Sequence, residues 1–303
     1  MESWSDEKLG RFRRDGFVVL EEGFIDADAV ARLRERFEPL FAGRYETGIR
    51  PDEVNWVPGR DPEDRTRQIC NGWKADRRIA AQALSERTGR FAAELMGWEG
   101  VRVIQDNCIW KPPGAKSLGM HQDGSYLDYL VPPEMITCWI ALDDTSAEGG
   151  TITYAAGSQR WPRSPENRGE FHAPADWLAP VKRAVPSGEE LRLVPLEVKA
   201  GGAAFHHFNT FHGSGPNTAS IHRRALISHL GRADARFHPQ HVDPVYSRYR
   251  RAEDTAMDES YFPIVWTRDG RRTRWLDRLS PPARRGSSRA RGSSSPTGGT
   301  VAA

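Results

Sequence analysis

His121 and Asp123, one residue apart in GMHQDGSY, are the first pair in this 303-residue chain whose types and spacing suit metal chemistry. On a strand alternate residues leave the same face, so the spacing predicts two ligands directed at one ion. A short match of this kind is common by chance, and a His near an Asp is more often a surface hydrogen-bonded pair. A third element gives it weight. His212 stands 91 residues after His121 in TFHGSGPN, and Arg223 follows 11 residues later at the head of RRALISHL. Two imidazoles and one carboxylate occupy a triangular face of an octahedral Fe(II) and leave three positions open for oxygen chemistry. Two of those suit the 2-oxo acid group of 2-oxoglutarate, and one remains for O2. The distant carboxylate of that co-substrate needs a planar fork of donors, which Arg223 supplies in bidentate form and a Lys does not. Arg224 alternates to the opposite face and is expected outside, in solvent.

These residues need a scaffold, and the hydropathy pattern describes one. Asp26 caps a predicted helix through Ala29, Val30, Leu33 and Phe37 that stops near Pro39, after a short strand at residues 16–20. A second helix is predicted over residues 76–97, with Ile79, Ala83, Phe91 and Leu95 on its apolar side and Gly97 at its end. From residue 101 the period changes to two, giving strands at 101–110, 135–142, 151–155, 191–198, 203–208 and 223–230, separated by Gly, Pro and Asp turns. The expected fold is mainly β with flanking helices, a sandwich or jelly roll. Residues 43–74, 160–190 and 233–274 fit neither period and are read as long ordered loops, where substrate is usually met. The expected organisation is one domain over residues 1–280: a helical part to 100, a jelly-roll core over 101–232 and an extension over 233–280. Residues 281–303, rich in Ser and Gly with Arg and no acid, read as a disordered tail.

Taken together, WKPPGAKSLGMHQDGSY, ITCWIALDDTSAEGGTITYAAGSQRW and FHHFNTFHGSGPNTASIHRRAL resemble the phytanoyl-CoA dioxygenase family of Fe(II)/2-oxoglutarate oxygenases over roughly residues 10–232. The resemblance implies a double-stranded β-helix (cupin-like) core. It assigns His121, Asp123 and His212 to the iron and Arg223 to the far carboxylate of 2-oxoglutarate. Ser214 and Trp139 match positions that contact the co-substrate, and Gln105 and Lys111 lie on a strand that often lends it polar contacts. Asn107 and Tyr126, near the metal strands, are candidates to line a substrate pocket. The family's turn ends in Gly-Ser-His, whereas here it reads Gly157-Ser158-Gln159, which touches only local turn packing. Iron halogenases of this fold replace the carboxylate with a small residue. Asp123 is present, so the resemblance implies hydroxylation, or desaturation or ring closure, with release of succinate and carbon dioxide.

Composition narrows the rest. Lys+Arg 43 against Asp+Glu 41 leaves a net charge of +2, so no bulk field favours nucleic acid or an anionic membrane. No apolar run is long enough for a membrane span, and the acidic N-terminus has no leader pattern, so a cytoplasmic enzyme with a small-molecule substrate is expected. Three Cys without CxxC spacing read as buried thiols. His206 and His207, adjacent on a strand, are expected to face opposite ways in supporting roles. His172, His222, His229, His238 and His241 are read as surface or core residues, with His241 in a loop able to reach substrate. Asp143 and Asp144 are adjacent, point apart and read as a turn. Trp56, Trp73, Trp161, Trp177 and Trp266 should mostly pack loops, with one or two in the pocket. Two alternatives stay open: a cupin-like metalloenzyme that does not use 2-oxoglutarate, and a non-catalytic jelly-roll carbohydrate-binding protein. With no Lys/Arg cluster fit for the phosphates of CoA outside the tail, a small polar metabolite of a biosynthetic pathway is the favoured substrate.

Overall fold

The computed structural model describes residues 3–165 and 168–279, so the expectation for the tail lies outside the described residues. Its helices are α1 (Asp6–Asp15), α2 (Ala27–Phe41), α3 (Arg77–Ala83), α4 (Glu86–Met96) and α5 (Ala179–Ala184). The strands are β1 (Phe17–Leu20), β2 (Glu53–Val54), β3 (Arg67–Cys70), β4 (Gly100–Lys111), β5 (Leu118–His121), β6 (Leu130–Val131), β7 (Ile136–Ala141), β8 (Ile152–Ala155), β9 (Leu193–Pro195), β10 (Ala203–His207), β11 (His212–Ser214), β12 (Arg223–Arg232), β13 (Arg236–Phe237) and β14 (Ile264–Thr267). A major antiparallel sheet runs β1-β10-β7-β12-β4-β3-β2, with β14 also on β4; a minor sheet runs β5-β11-β8-β9. The fold is the expected jelly roll with helices outside it.

Alternation along the major sheet decides what faces the site. On β12, Leu226 and Leu230 turn to the helices, where with Cys138 and Ile140 of β7 and Phe205 of β10 they bury Phe37, Ile79 and Phe91. Fully burying one such side chain stabilises the fold by about 1.5–3 kcal/mol. The alternate residues Ile227 and His229 of β12, Thr137 and Trp139 of β7, His206 of β10, and Gln105 and Asn107 of β4 therefore face inward and line one cavity.

Both expected helices depart from expectation, and α1 and α5 are additional to them. Asp26 caps α2 as predicted, accepting from the amide of Ala29 at 2.6 Å, but the helix runs through Pro39 to Phe41. Pro39 sits in the last turn, where it removes one i→i−4 hydrogen bond, and the helix ends two residues later. The single helix expected over 76–97 is two, because Ser85 leaves helical geometry and caps α4 with its side chain. Gly97, in the left-handed region at φ 68°, closes α4 as anticipated. Two of the stretches read as loops also hold short strands: β3 pairs with β4 over Cys108–Trp110 and Asn107, and β14 pairs with β4 near Val101. Such strands are too short for a period to register. All three Cys are free and buried. Among the described residues no helix is long and apolar enough to cross a membrane.

Candidate active site

His121 ends β5, and His212, which opens β11, is its direct cross-strand partner. Asp123 is not on the strand. The chain leaves β5 after His121, and Asp123 begins a 3-10 turn, Asp123–Tyr126, so a turn and not the pleat brings the two ligands together. That turn is held by Gln122, which donates to the carbonyl of Asn209 at 2.8 Å and accepts from the amide of Ser164 at 2.7 Å. The result is a cluster whose three donor atoms lie within 4.8 Å of one another. Asp123 Oδ1 stands 3.7 Å from His121 Nε2 and 3.6 Å from His212 Nε2.

The ring nitrogens are oriented for metal. His121 Nδ1 bonds the carbonyl of Gly119 at 2.9 Å and His212 Nδ1 that of Thr210 at 3.0 Å. Carbonyls only accept, so each Nδ1 carries the proton and each Nε2 presents a lone pair to the cluster. Burial, reinforced by mutual repulsion among the imidazoles, pushes both rings down to about 4. Burial by itself would raise Asp123, but the surrounding His residues outweigh it and hold its carboxyl well below the usual range. Neutral imidazoles and an ionised carboxylate are the protonation states a metal requires. Beside them the buried Nε2 of His206, 3.4 Å from Asp123 Oδ2, has no hydrogen-bond partner of its own. This donor set and open polar space fit a divalent iron.

The same cavity, about 500 Å³, reaches Arg223, Ser214 and Trp139. Arg223 is 2% exposed; its Nε and Nη2 donate to the carbonyl of Gly150 at 3.2 and 2.9 Å, and its guanidinium carbon lies 5.8 Å from the centre of the Trp139 ring. Burial lowers it to about 10, still charged at neutral pH. Lys111 pairs in register with Arg223 across β4 and β12 and so shares its face, but it does not line the cavity. Its ammonium donates to Ser214 Oγ at 2.8 Å and to the carbonyl of Gly215. Burial, and then Arg223, push it well below the ordinary lysine value. Arg224 does face the other way, yet it is not solvated as expected: a two-bond contact with Asp143, at 2.9 and 2.8 Å, holds it.

Gln105, Asn107 and Tyr126 line the cavity. His206 faces it and His207 does not, while Asp143 and Asp144 bond to different partners, Arg224 and Lys199. His241 does not reach it, being stacked on His238 and bonded to the carbonyl of Asp128. None of the five loop Trp lines it; Trp73, for example, stacks on Trp275, and Trp161 packs on Phe211. Sequence reasoning missed Thr137, His229, His172 and Tyr246, all of which line the cavity. For Thr137 and His229 the inward phase of β7 and β12 was available in the sequence; for Tyr246, in an irregular stretch, no periodicity pointed inward.

A jelly roll whose two sheets enclose a His-Asp-His cluster beside a buried arginine has the architecture of the non-haem iron oxygenases that use 2-oxoglutarate. The chain belongs to the phytanoyl-CoA dioxygenase (PhyH) family, whose pattern it matches over residues 12–225. It is 27% identical over 238 residues to a "Probable alpha-ketoglutarate-dependent hypophosphite dioxygenase" of Stutzerimonas stutzeri, covering 76% of this chain and 79% of that one. To the phytanoyl-CoA dioxygenase domain-containing protein 1 of Rattus norvegicus it is 24% identical over 265 residues, covering 75% and 89%. The fold is shared with the non-heme alpha ketoglutarate dependent carbocyclase SnoK from nogalamycin biosynthesis (TM-score 0.67, 23% identity, 87% and 97% covered). EctD from S. alaskensis, crystallised with 2-oxoglutarate and 5-hydroxyectoine, is similar at TM-score 0.62 and 20% identity, with 84% and 86% covered. The protein is a 2-oxoglutarate-dependent dioxygenase, working with Fe(II), 2-oxoglutarate and O2.

Proposed function

We propose that His121, Asp123 and His212 hold the iron, that Arg223 receives the distal carboxylate of 2-oxoglutarate, and that the enzyme hydroxylates a C–H bond of a small organic metabolite from a biosynthetic pathway. The observation that carries this reading is one cavity shared by the three donors and a buried Arg223 whose own hydrogen bonds go to a carbonyl, not to a carboxylate. When bound, iron and its co-substrate supply the oxidant, with succinate and carbon dioxide as products. The chain supplies position. Trp139 walls one side of the guanidinium. Lys111 occupies an acceptor site of the Ser214 hydroxyl, which leaves its proton directed elsewhere, toward the co-substrate. Gln105 lends its amide to the wall, and Asn107 and Tyr126 border the space left for substrate.

Size and charge favour an organic substrate. A cavity of about 500 Å³ is within the range that encloses drug-sized ligands. Hypophosphite, in the name of the bacterial relative, would leave most of it empty. Among the described residues Arg223 is the only Lys or Arg that lines it, while Glu53 and Asp243 add acidic groups. That balance suits a neutral or cationic metabolite better than a CoA thioester.

The test is anaerobic titration of the purified protein with Fe(II) and then 2-oxoglutarate, followed by succinate release over a panel of metabolites. A visible charge-transfer band in the wild type that weakens in Arg223→Ala is expected, with a product one oxygen atom heavier than substrate. Iron bound without a band would favour a cupin-like metalloenzyme that does not use 2-oxoglutarate. A product lighter by two hydrogens would replace hydroxylation with desaturation or ring closure.

A further inference from the structure

Five hydrogen bonds run along the cavity wall from Tyr246 to Asp123, and their chemistry permits one direction. A carboxylate only accepts, so the Thr137 hydroxyl donates to Asp123 Oδ2, 2.8 Å away. That hydroxyl has no second proton. His229 Nδ1, 3.0 Å from the same oxygen, must then donate to it, which fixes the Nδ1–H tautomer and leaves Nε2 as an acceptor. Asn107 Nδ2 donates to that Nε2 at 3.0 Å, Gln105 Nε2 donates to Asn107 Oδ1 at 2.8 Å, and the Tyr246 hydroxyl donates to Gln105 Oε1. Register holds the series in place, because His229 is the cross-strand partner of Thr137 on one side and of Gln105 on the other. Every member lines the cavity.

The two oxygens of Asp123 are thereby given different work. Oδ1 faces the Nε2 atoms of His121 and His212, and Oδ2 faces Thr137 at 2.8 Å with His206 and His229 beyond it at 3.4 and 3.7 Å. We infer that Thr137 and His229 are positioning residues: the donor series from Tyr246 holds Asp123 as a ligand through Oδ1 alone and ties the metal site to the wall that substrate touches. The inference rests on the assignment of Asp123 as a ligand proposed above. An oriented series polarises each bond toward its end, so the loss of Thr137, the last donor, should be felt most.

Co(II) is the probe, titrated into the metal-free full-length protein, because its visible spectrum reports coordination as well as affinity. Asp123→Ala should lose binding. Thr137→Val, which keeps the shape and removes the donor, should weaken Co(II) by about 10–100-fold and alter the spectrum, in the range found when such supporting partners are removed. Thr137→Ser should restore both, and His229→Leu should move both in the same direction as Thr137→Val. Thermal melts of the metal-free variants report whether each is folded. If Thr137→Val does not fold, Tyr246→Phe, which removes only a hydroxyl, decides the matter through a shifted spectrum. Wild-type affinity and spectrum in Thr137→Val, or in Tyr246→Phe where it must stand in, while Asp123→Ala loses binding would overturn the inference. So would equal weakening by Val and Ser, which would mark a packing effect. Undiminished Co(II) binding by Asp123→Ala would instead overturn the ligand assignment beneath it.

Discussion

The inner and outer parts of the cavity are built differently. Around the metal cluster and Arg223 the wall is mostly strand: β4, β7, β8, β11 and β12 are paired on both sides, β5 lies at the edge of the minor sheet against β11, and Asp123 comes from the turn that follows β5. Farther out, Asn55, Asp243 and Tyr246 come from turns and connecting segments, and the charge passes from a buried arginine to the acids Glu53 and Asp243. Rigid pairing suits chemistry that must be held to a fraction of an ångström, while connecting segments can vary without disturbing it.

Substitutions should respect that division, beginning with the most severe. His212→Ala or Asp123→Ala is expected to lower succinate formation by at least about a thousandfold with any substrate, because ligands to one ion act as a unit. A comparable loss from an outer-wall change would break the contrast. Arg223→Ala should raise the KM for 2-oxoglutarate on the order of a hundredfold, the consequence of burying a carboxylate without its partner. The KM for the second substrate should hardly move, and initial-rate measurements with each varied in turn check this. Glu53→Gln should do the reverse on a small scale. With a cationic substrate its KM rises up to about fivefold, as for an exposed charge pair, and the KM for 2-oxoglutarate stays fixed.

A final prediction concerns the metal-free protein. His121, His207 and His212 are pushed down to about 4, each with burial as the first cause, so between that value and 6.5 the unfolded chain binds protons that the native one refuses. Stability therefore falls as pH drops from about 6.5 toward 4, by several degrees in Tm. Asp106, pushed up to about 7 by burial, works in the opposite sense: its contribution is present at low pH and is lost as pH rises through 7. Asp106→Asn should accordingly steepen the acid loss, measurable by thermal melts across that range.

What the sequence disclosed follows the same line. The jelly roll and the joint appearance of His121, Asp123, His212 and Arg223 were legible, since strands have a period and an HxD pair with a distant His and Arg has a chemical reason. The supporting residues were not. Thr137 and His229 are 92 residues apart and meet only because β7 and β12 are neighbours in register, which no local pattern states. Arg224 was misjudged for a related reason: its outward direction followed from alternation, but the presence of Asp143 beside it required the tertiary fold. Tyr246 lies in a 3-10 turn, Tyr246–Tyr249, where side-chain direction has no repeat to follow.

Gly150 gives Arg223 a further property. At φ 63° it sits where any Cβ would lie 2.9 Å from Lys111 and 2.8 Å from the carbonyl of Gly215, and its own carbonyl grips the guanidinium. An arginine side chain carries about 2 kcal/mol of rotamer entropy. Here that freedom is surrendered when the protein folds, not when an anion arrives, so a carboxylate meets a fork that is already still. On the role proposed for Arg223, the affinity for 2-oxoglutarate would depend to that extent on this turn, and a side chain at position 150 would loosen binding by giving the arginine back its motion.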